Sequence, residues 1–292
     1  MVRSGTGVCR IASFVCAVVS VLGVAGFAVT IMSPDDFSEM FARKIRDARP
    51  QATVEIVEPL RLSLKTRESQ ESTVYLTSAY DVYKQSPTSI DEILERYVAG
   101  SLEKLTAPVK IDPSKIVPVV KDRAWLDQMR AASREEDGSD SLVFDELNEQ
   151  LVIVYAEDAP NSLSYFGPGD LVTAGVERSG LRQLAANNLV RMLPKIERRG
   201  RDGVYMISAG GDFETSLLAI GTVWKKENFD VRGDFVFAIP ARGILYVTGS
   251  EDPSGIATVR GHAATDYRDS SYRISPELFL LRKGKLSVLP VQ

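Results

Sequence analysis

The chain has 292 residues, 44 % of them hydrophobic and 25 % charged, a balance ordinary for a globular protein with a substantial core. Its formal charge is −4, and −6 once Arg3 and Arg10, the only charges before residue 33, are set aside, so the body is a poor magnet for nucleic acid. Its two cysteines, Cys9 and Cys16, and its one histidine, His262, leave the body without an internal disulfide, a thiolate nucleophile or a multi-histidine metal site.

Ile11 to Met32 is a run of 22 uncharged residues behind Arg3 and Arg10 and ahead of Asp35 and Asp36. As a helix it would extend ~33 Å, close to a bilayer core. The flanking charges place the N-terminus in the cytoplasm and the body outside the inner membrane. A cleaved signal peptide has a shorter apolar core and a small-x-small site, which Gly26-Phe27-Ala28 supplies. A retained single-pass anchor is the expectation from length. The alternatives are a soluble periplasmic or secreted chain after cleavage, and a buried helix.

Ser33-Pro34-Asp35-Asp36 reads as a helix start, and Phe37, Met40, Phe41 and Ile45 then share one helical face. Short strands follow at 53–57, 60–65 and 73–77. Ser89 and Glu92 form a capping box for a helix over 89–105, whose stripe includes Ile90, Ile93, Leu94, Val98 and Leu102. A strand at 116–120 and a short helix at 124–132 complete an N-terminal α+β region, 33–132. The segment 133–141, SREEDGSDS, lacks apolar residues and reads as a polar boundary loop.

The C-terminal region, 142–292, is richer in strands. A hairpin is expected from 142–144 and 151–155, a strand near 162–166, and a turn at Gly167-Pro168-Gly169-Asp170. A helix over 176–193 stops at Pro194, and KIERRGR, 195–201, reads as a solvated basic turn able to meet lipid head groups or an acidic partner. A strand at 204–208, a helix at 212–226, strands at 235–239 and 244–248, a helix at 255–265 and a hairpin from 278–281 and 286–289 finish the chain. Hairpins mixed with single helices predict an α+β fold with antiparallel or mixed sheets and packed helices, preceded by one N-terminal transmembrane or signal segment.

Catalytic patterns fail on inspection. Ser101-Leu102-Glu103-Lys104 has the S-x-x-K spacing without its companion elements, and Tyr80 and Lys84 have Tyr-x-x-x-Lys spacing without a dinucleotide cradle. Asp212 follows Gly210-Gly211 and reads as a helix cap. With Glu214, Glu251 and Asp252 it offers carboxylates for a hydrolase or transferase, while His262 sits at the edge of an apolar helix stripe. The acidic loops at 137–140 and 251–252 are cation candidates without the spacing of a calcium site. No cofactor is implied.

Several C-terminal stretches carry a resemblance: Asn188-Leu189 and Leu193-Pro194, Gly203-Val204-Tyr205, the run GDFETSLL from Gly211, Phe237-Ala238-Ile239-Pro240, ILYV from Ile244, and LFLLRKGKLSVL from Leu278. In this order they resemble the YtpQ-like bacterial family, a domain of unknown function (DUF 1444), over about residues 142–289. The resemblance implies a shared fold and no particular chemistry. The expectation is therefore an envelope protein, more binding module than enzyme, that meets the bilayer through 11–32 and a protein or peptide partner through its body. A carboxylate-dependent hydrolase or transferase is the alternative.

Overall fold

The computed structural model describes residues 30–65, 71–106, 111–137, 142–159, 162–193 and 195–290. Of the expected membrane segment only 30–32 fall within these ranges, and Cys9 and Cys16 lie outside them. Among the described residues no helix is long and apolar enough to cross a membrane. Residues 31–292 form one compact unit. The fold is α+β, with antiparallel sheets.

The N-terminal part begins with α1, Pro34–Ala48. Ser33 caps it, its Oγ accepting from Asp36 N at 3.1 Å, and proline and two acids occupy the first turn, where free N–H groups favour negative charge. Phe37, Phe41 and Ile45 are fully buried. They pack on a three-stranded antiparallel sheet of β1, Thr53–Glu58, β2, Arg61–Lys65, and β3, Glu71–Tyr75. Two further helices, α2 at Thr77–Gln85 and α3 at Ile90–Thr106, close this core through Ala79, Tyr83, Leu94 and Val98. The periodicity reading missed α2. Ser89, expected to cap α3, instead ends a 3-10 turn that runs straight into it.

A second sheet joins β4, Ile116–Asp122, β6, Leu151–Ala159, and β5, Phe144–Glu146, with β7, Ser162–Tyr165, also paired to β6. Helix α4 follows β4 and spans Arg123–Asp137, so the expected polar loop is helical as far as 137. Arg and Glu are good helix formers, so a helix can run on through them without apolar residues. Residues 138–141 lie outside the described ranges. Gly167-Pro168-Gly169-Asp170, expected as a turn, opens α5, Pro168–Ala174: proline suits the first helical position, and Asp170 reaches back to accept from Gly167 N at 2.8 Å. Gly175, at φ 65°, ends α5, and α6, Arg178–Met192, follows as a separate helix.

The third sheet is the largest. Its order is β13, β12, β10, β11, β9, β8, comprising β8, Glu197–Arg201, β9, Val204–Ser208, β10, Phe235–Ala241, β11, Ile244–Gly249, β12, Leu278–Arg282, and β13, Lys285–Val288. One face, with Tyr205, Ile207, Leu245, Val247, Phe237 and Phe279, shares a core with the β4–β6 sheet and α6. The other face, with Val236, Ala238 and Leu278, is covered by α7, Pro253–Asp269, through Val259 and Ala263. The central strand β10 is therefore buried along its whole length, on both faces.

The expected helix at 212–226 does not form. Three 3-10 turns, Thr215–Ala219, Gly221–Val223 and Lys226–Asn228, take its place. Leu217, Leu218, Ala219, Ile220 and Trp224 are all buried, which one stripe of an amphipathic helix would not achieve. Side chains also compete for the backbone: Trp224 Nε1 donates to Leu217 O at 3.0 Å and Thr215 Oγ1 to Arg242 O at 2.9 Å.

Candidate functional site

The run from Gly210 to Ala219 carries two of the five candidate site residues, Asp212 and Glu214. Gly210 and Gly211 hold φ of 107° and 97°, turning the chain sharply off β9. Glu214 is 1 % exposed, and its Oε1 accepts from both Ala209 N and Gly211 N at 2.7 Å. Its Oε2 is buried with no hydrogen-bond partner among the described residues. Asp212 caps no helix. It is exposed and pairs with Arg242 at 2.5 Å. Ser216 Oγ accepts from Val120 N at 3.4 Å, joining this loop to the opposite sheet. The stretch therefore works as a plug between sheets.

Glu251 and Asp252 stand at the other end of β11. Asp252 is buried and caps α7, with Oδ1 accepting from Gly255 N at 3.0 Å and from Arg232 Nη2 at 3.2 Å. Glu251 is exposed. The two acidic pairs are separated by the length of β11, ~17 Å at strand rise, and do not face one substrate position. His262 lies on the solvent side of α7, stacked on Tyr246 with ring centroids 5.5 Å apart. Tyr246 in turn donates to Asp266 Oδ2 at 2.7 Å. Among the described residues no three His, Cys, Asp or Glu side chains group as metal ligands. Residues 138–140 of the first acidic loop lie outside the described ranges.

Three residues of the two tempting spacings upstream, Tyr80, Lys84 and Ser101, have structural partners. Tyr80 donates its hydroxyl to Met32 O at 2.7 Å, and Lys84 pairs with Asp81 at 2.7 Å. Ser101 is buried and donates to Tyr97 O at 2.8 Å.

A polar seam joins the N-terminal part to the sheets. Tyr97 of α3 and Tyr272 share a hydrogen bond through their hydroxyls. The guanidinium of Arg242, paired with Asp212, lies 4.4 Å from the Tyr272 ring centroid. Asp158, at the end of β6, lies in the same field. Burial, together with the Asp212 charge, raises its pKa against the pull of Arg242 and Lys115. A second knot fixes α6 to the smaller sheet: Asp145 accepts from both Tyr155 and Arg178. Burial disfavours its ionisation, but those hydrogen bonds outweigh it and hold the carboxyl below the usual range. Asn188, 1 % exposed, donates to Pro113 O and Ile116 O, both at 2.8 Å.

The feature of a different kind is the basic stretch 195–201. It is no turn: Glu197–Arg201 forms β8, the last strand of the largest sheet, and all five residues are exposed. Asp202 and Gly203, at φ 55° and 78°, make the two-residue hairpin to β9, for which Asp-Gly is the favoured pair. That dipeptide is the one signal in the letters from which the strand could have been read. Arg201 and Val204 flank the turn, so hydrogen-bonded pairs alternate from there. By that alternation the main-chain groups of Arg198 point away from β9, toward the free edge. Arg199 is 70 % exposed and Arg201 91 %. Arg198 folds across the Tyr205 and Phe229 rings and donates to Asn228 O. Met206, opposite Arg199, is 38 % exposed. The sheet's other outer strand, β13, is half-buried, and Glu149 reaches it to accept from Val288 N at 3.4 Å.

Comparison with known proteins reveals uncharacterised bacterial relatives. A UPF0354 protein of Listeria monocytogenes serotype 4b is 24 % identical over 196 residues, covering 65 % of this chain and 70 % of the relative. A UPF0354 protein of Listeria welshimeri is 24 % identical over 205 residues, 67 % of this chain and 74 % of the relative. One from Listeria monocytogenes serovar 1/2a is 22 % identical over 210 residues, 70 % of this chain and 76 % of the relative. The chain is thus similar to a bacterial family of unknown function. No family model matches it. No solved structure matches it.

Proposed function

We propose that this chain is a non-enzymatic module that binds a protein or peptide partner, held at the inner membrane by residues 11–32 with its body outside. The observation that carries the binding reading is β8: a fully exposed, arginine-rich strand at the rim of an otherwise well-packed sheet. The polar residues singled out in the sequence supply a second support. Glu214, Asp252 and Ser101 are occupied in holding loops and helices, and the two acidic pairs do not converge. The anchor reading rests on the length and flanking charges of the apolar run. Met32 at its end is held to α2, donating its N–H to Tyr83 Oη at 2.9 Å. The order of motifs over 142–289 points, within the uncharacterised relatives, to the YtpQ-like group.

The test is to crosslink the tagged full-length protein in its host, isolate the membrane fraction and identify peptides and co-purifying proteins by mass spectrometry. A peptide spanning 11–32 together with one dominant partner is expected. A mature chain beginning near Val29, soluble and alone, would overturn both halves of the reading.

A further inference from the structure

Resting on that binding reading, we infer that β8 is the docking edge and that its occupant is an extended acidic segment of another protein, added to the sheet as a further strand. The geometry of the edge is that of a strand acceptor. The register places Arg198 with its main-chain N–H and C=O outward, and no further strand pairs with β8 among the described residues. A partner strand would bond to these groups at a spacing of ~4.8 Å between chains.

Charge selects the occupant. Between 195 and 202 the chain carries Lys195, Arg198, Arg199 and Arg201 against Glu197 and Asp202, a positive rim on an acidic molecule. Arg199 and Arg201 lie on one face of the strand, the face that carries Met206 and Tyr246 on the neighbouring strands. Directly opposed side chains on adjacent strands approach to ~5 Å, and opposite charges there are favourable. The fitting segment therefore has carboxylates at alternate positions and no proline between them. The acidic edge strand β1 of a second copy is a poor candidate, because Arg46 already donates to Val54 O at 3.1 Å there.

The edge is preorganised at one point. Gly200 holds φ 132°, and a Cβ there would come within 2.2 Å of Val204 O. Only glycine lets the hairpin twist at this position, which presents Arg199 and Arg201 outward without crowding β9.

The experiment uses full-length protein in detergent and a fluorescein-labelled peptide, Ser-Glu-Val-Glu-Val-Glu-Ser, followed by anisotropy and by hydrogen–deuterium exchange. Saturable binding with protection of 197–201 is expected. R199E/R201E, at two exposed positions, should weaken binding by about tenfold or more, since close opposed charges become like charges. A peptide with proline replacing the central glutamate should lose about as much, because it cannot complete the ladder. Equal binding by the proline peptide would mean charge attraction without strand addition and would overturn the inference. So would protection elsewhere, absence of binding, or displacement of the peptide by phosphatidylglycerol vesicles, which would make the rim a lipid-facing surface. The two readings fail separately: if a native partner is retained by R199E/R201E, the module stands and the inference that β8 is its site is overturned.

Discussion

Glu214 shows how a polar residue in the interior of this protein is used. Its carboxylate is sealed from solvent and satisfies two main-chain donors that the Gly210-Gly211 turn leaves unpaired by any strand. Removing an acceptor from buried donors costs more than the hydrogen bonds themselves contributed, because the donors stay desolvated. Glu214→Ala should therefore destabilise the protein by about 2–3 kcal/mol in urea unfolding. Glu214→Gln keeps an amide oxygen as acceptor and should cost about 1 kcal/mol or less. Equal losses in the two variants would mean that a neutral acceptor at this position does not hold the turn. Asn188 and Asp252 likewise satisfy main-chain groups of their own chain, beside one arginine each.

Among the elements, β8 and β13 are the two rims of one sheet and are treated differently. The half-buried β13 is met by Glu149, whereas β8 is exposed throughout. Its hairpin depends on Gly200. Gly200→Ala places a methyl group against Val204 O and forces an unfavourable φ, so it should cost more than ~1 kcal/mol locally. Because β8 buries little, the loss should appear as faster amide exchange over 197–204, with the midpoint of global unfolding shifted by only a few degrees, about 2–4 °C. A large drop in that midpoint would show β8 to be integral to the sheet.

At the scale of the molecule, three tyrosine hydroxyls bridge separate layers. Tyr155 joins the smaller sheet to Arg178 of α6 through Asp145, Tyr246 joins the large sheet to Asp266 of α7, and Tyr272 joins the strands to Tyr97 of α3. Burial, reinforced by these hydrogen bonds, raises all three above the ordinary tyrosine value of 10.0. The unfolded chain ionises first as pH rises, so the stabilisation is complete below pH ~10 and declines above it. Urea unfolding should show this alkaline loss. Tyr272→Phe should cost about 1 kcal/mol at neutral pH and make the alkaline decline shallower. An unchanged slope would mean that Tyr272 ionises equally in both states.

Elements with a clean period and a marked boundary are readable from the letters alone. Ser33-Pro34 and the Phe37–Ile45 stripe define α1, and 204–208 is β9 to the residue. The hairpins of β10 with β11 and of β12 with β13 are legible for the same reason: alternation or uniform apolarity between turn residues. The region 212–226 resisted because its apolar residues fit a helical face equally well in the letters alone. Burial on all sides and side-chain claims on the backbone decided for 3-10 turns. The polar tail of α4 and the charged strand β8 resisted for the opposite reason, having no apolar pattern to read. The candidate carboxylates were legible as residue types and not as a site, since their separation depends on the course of β11 between them. A strand edge is likewise invisible in a sequence. It exists only once the order of strands is set, and that order comes from which faces the sheets and α7 bury together.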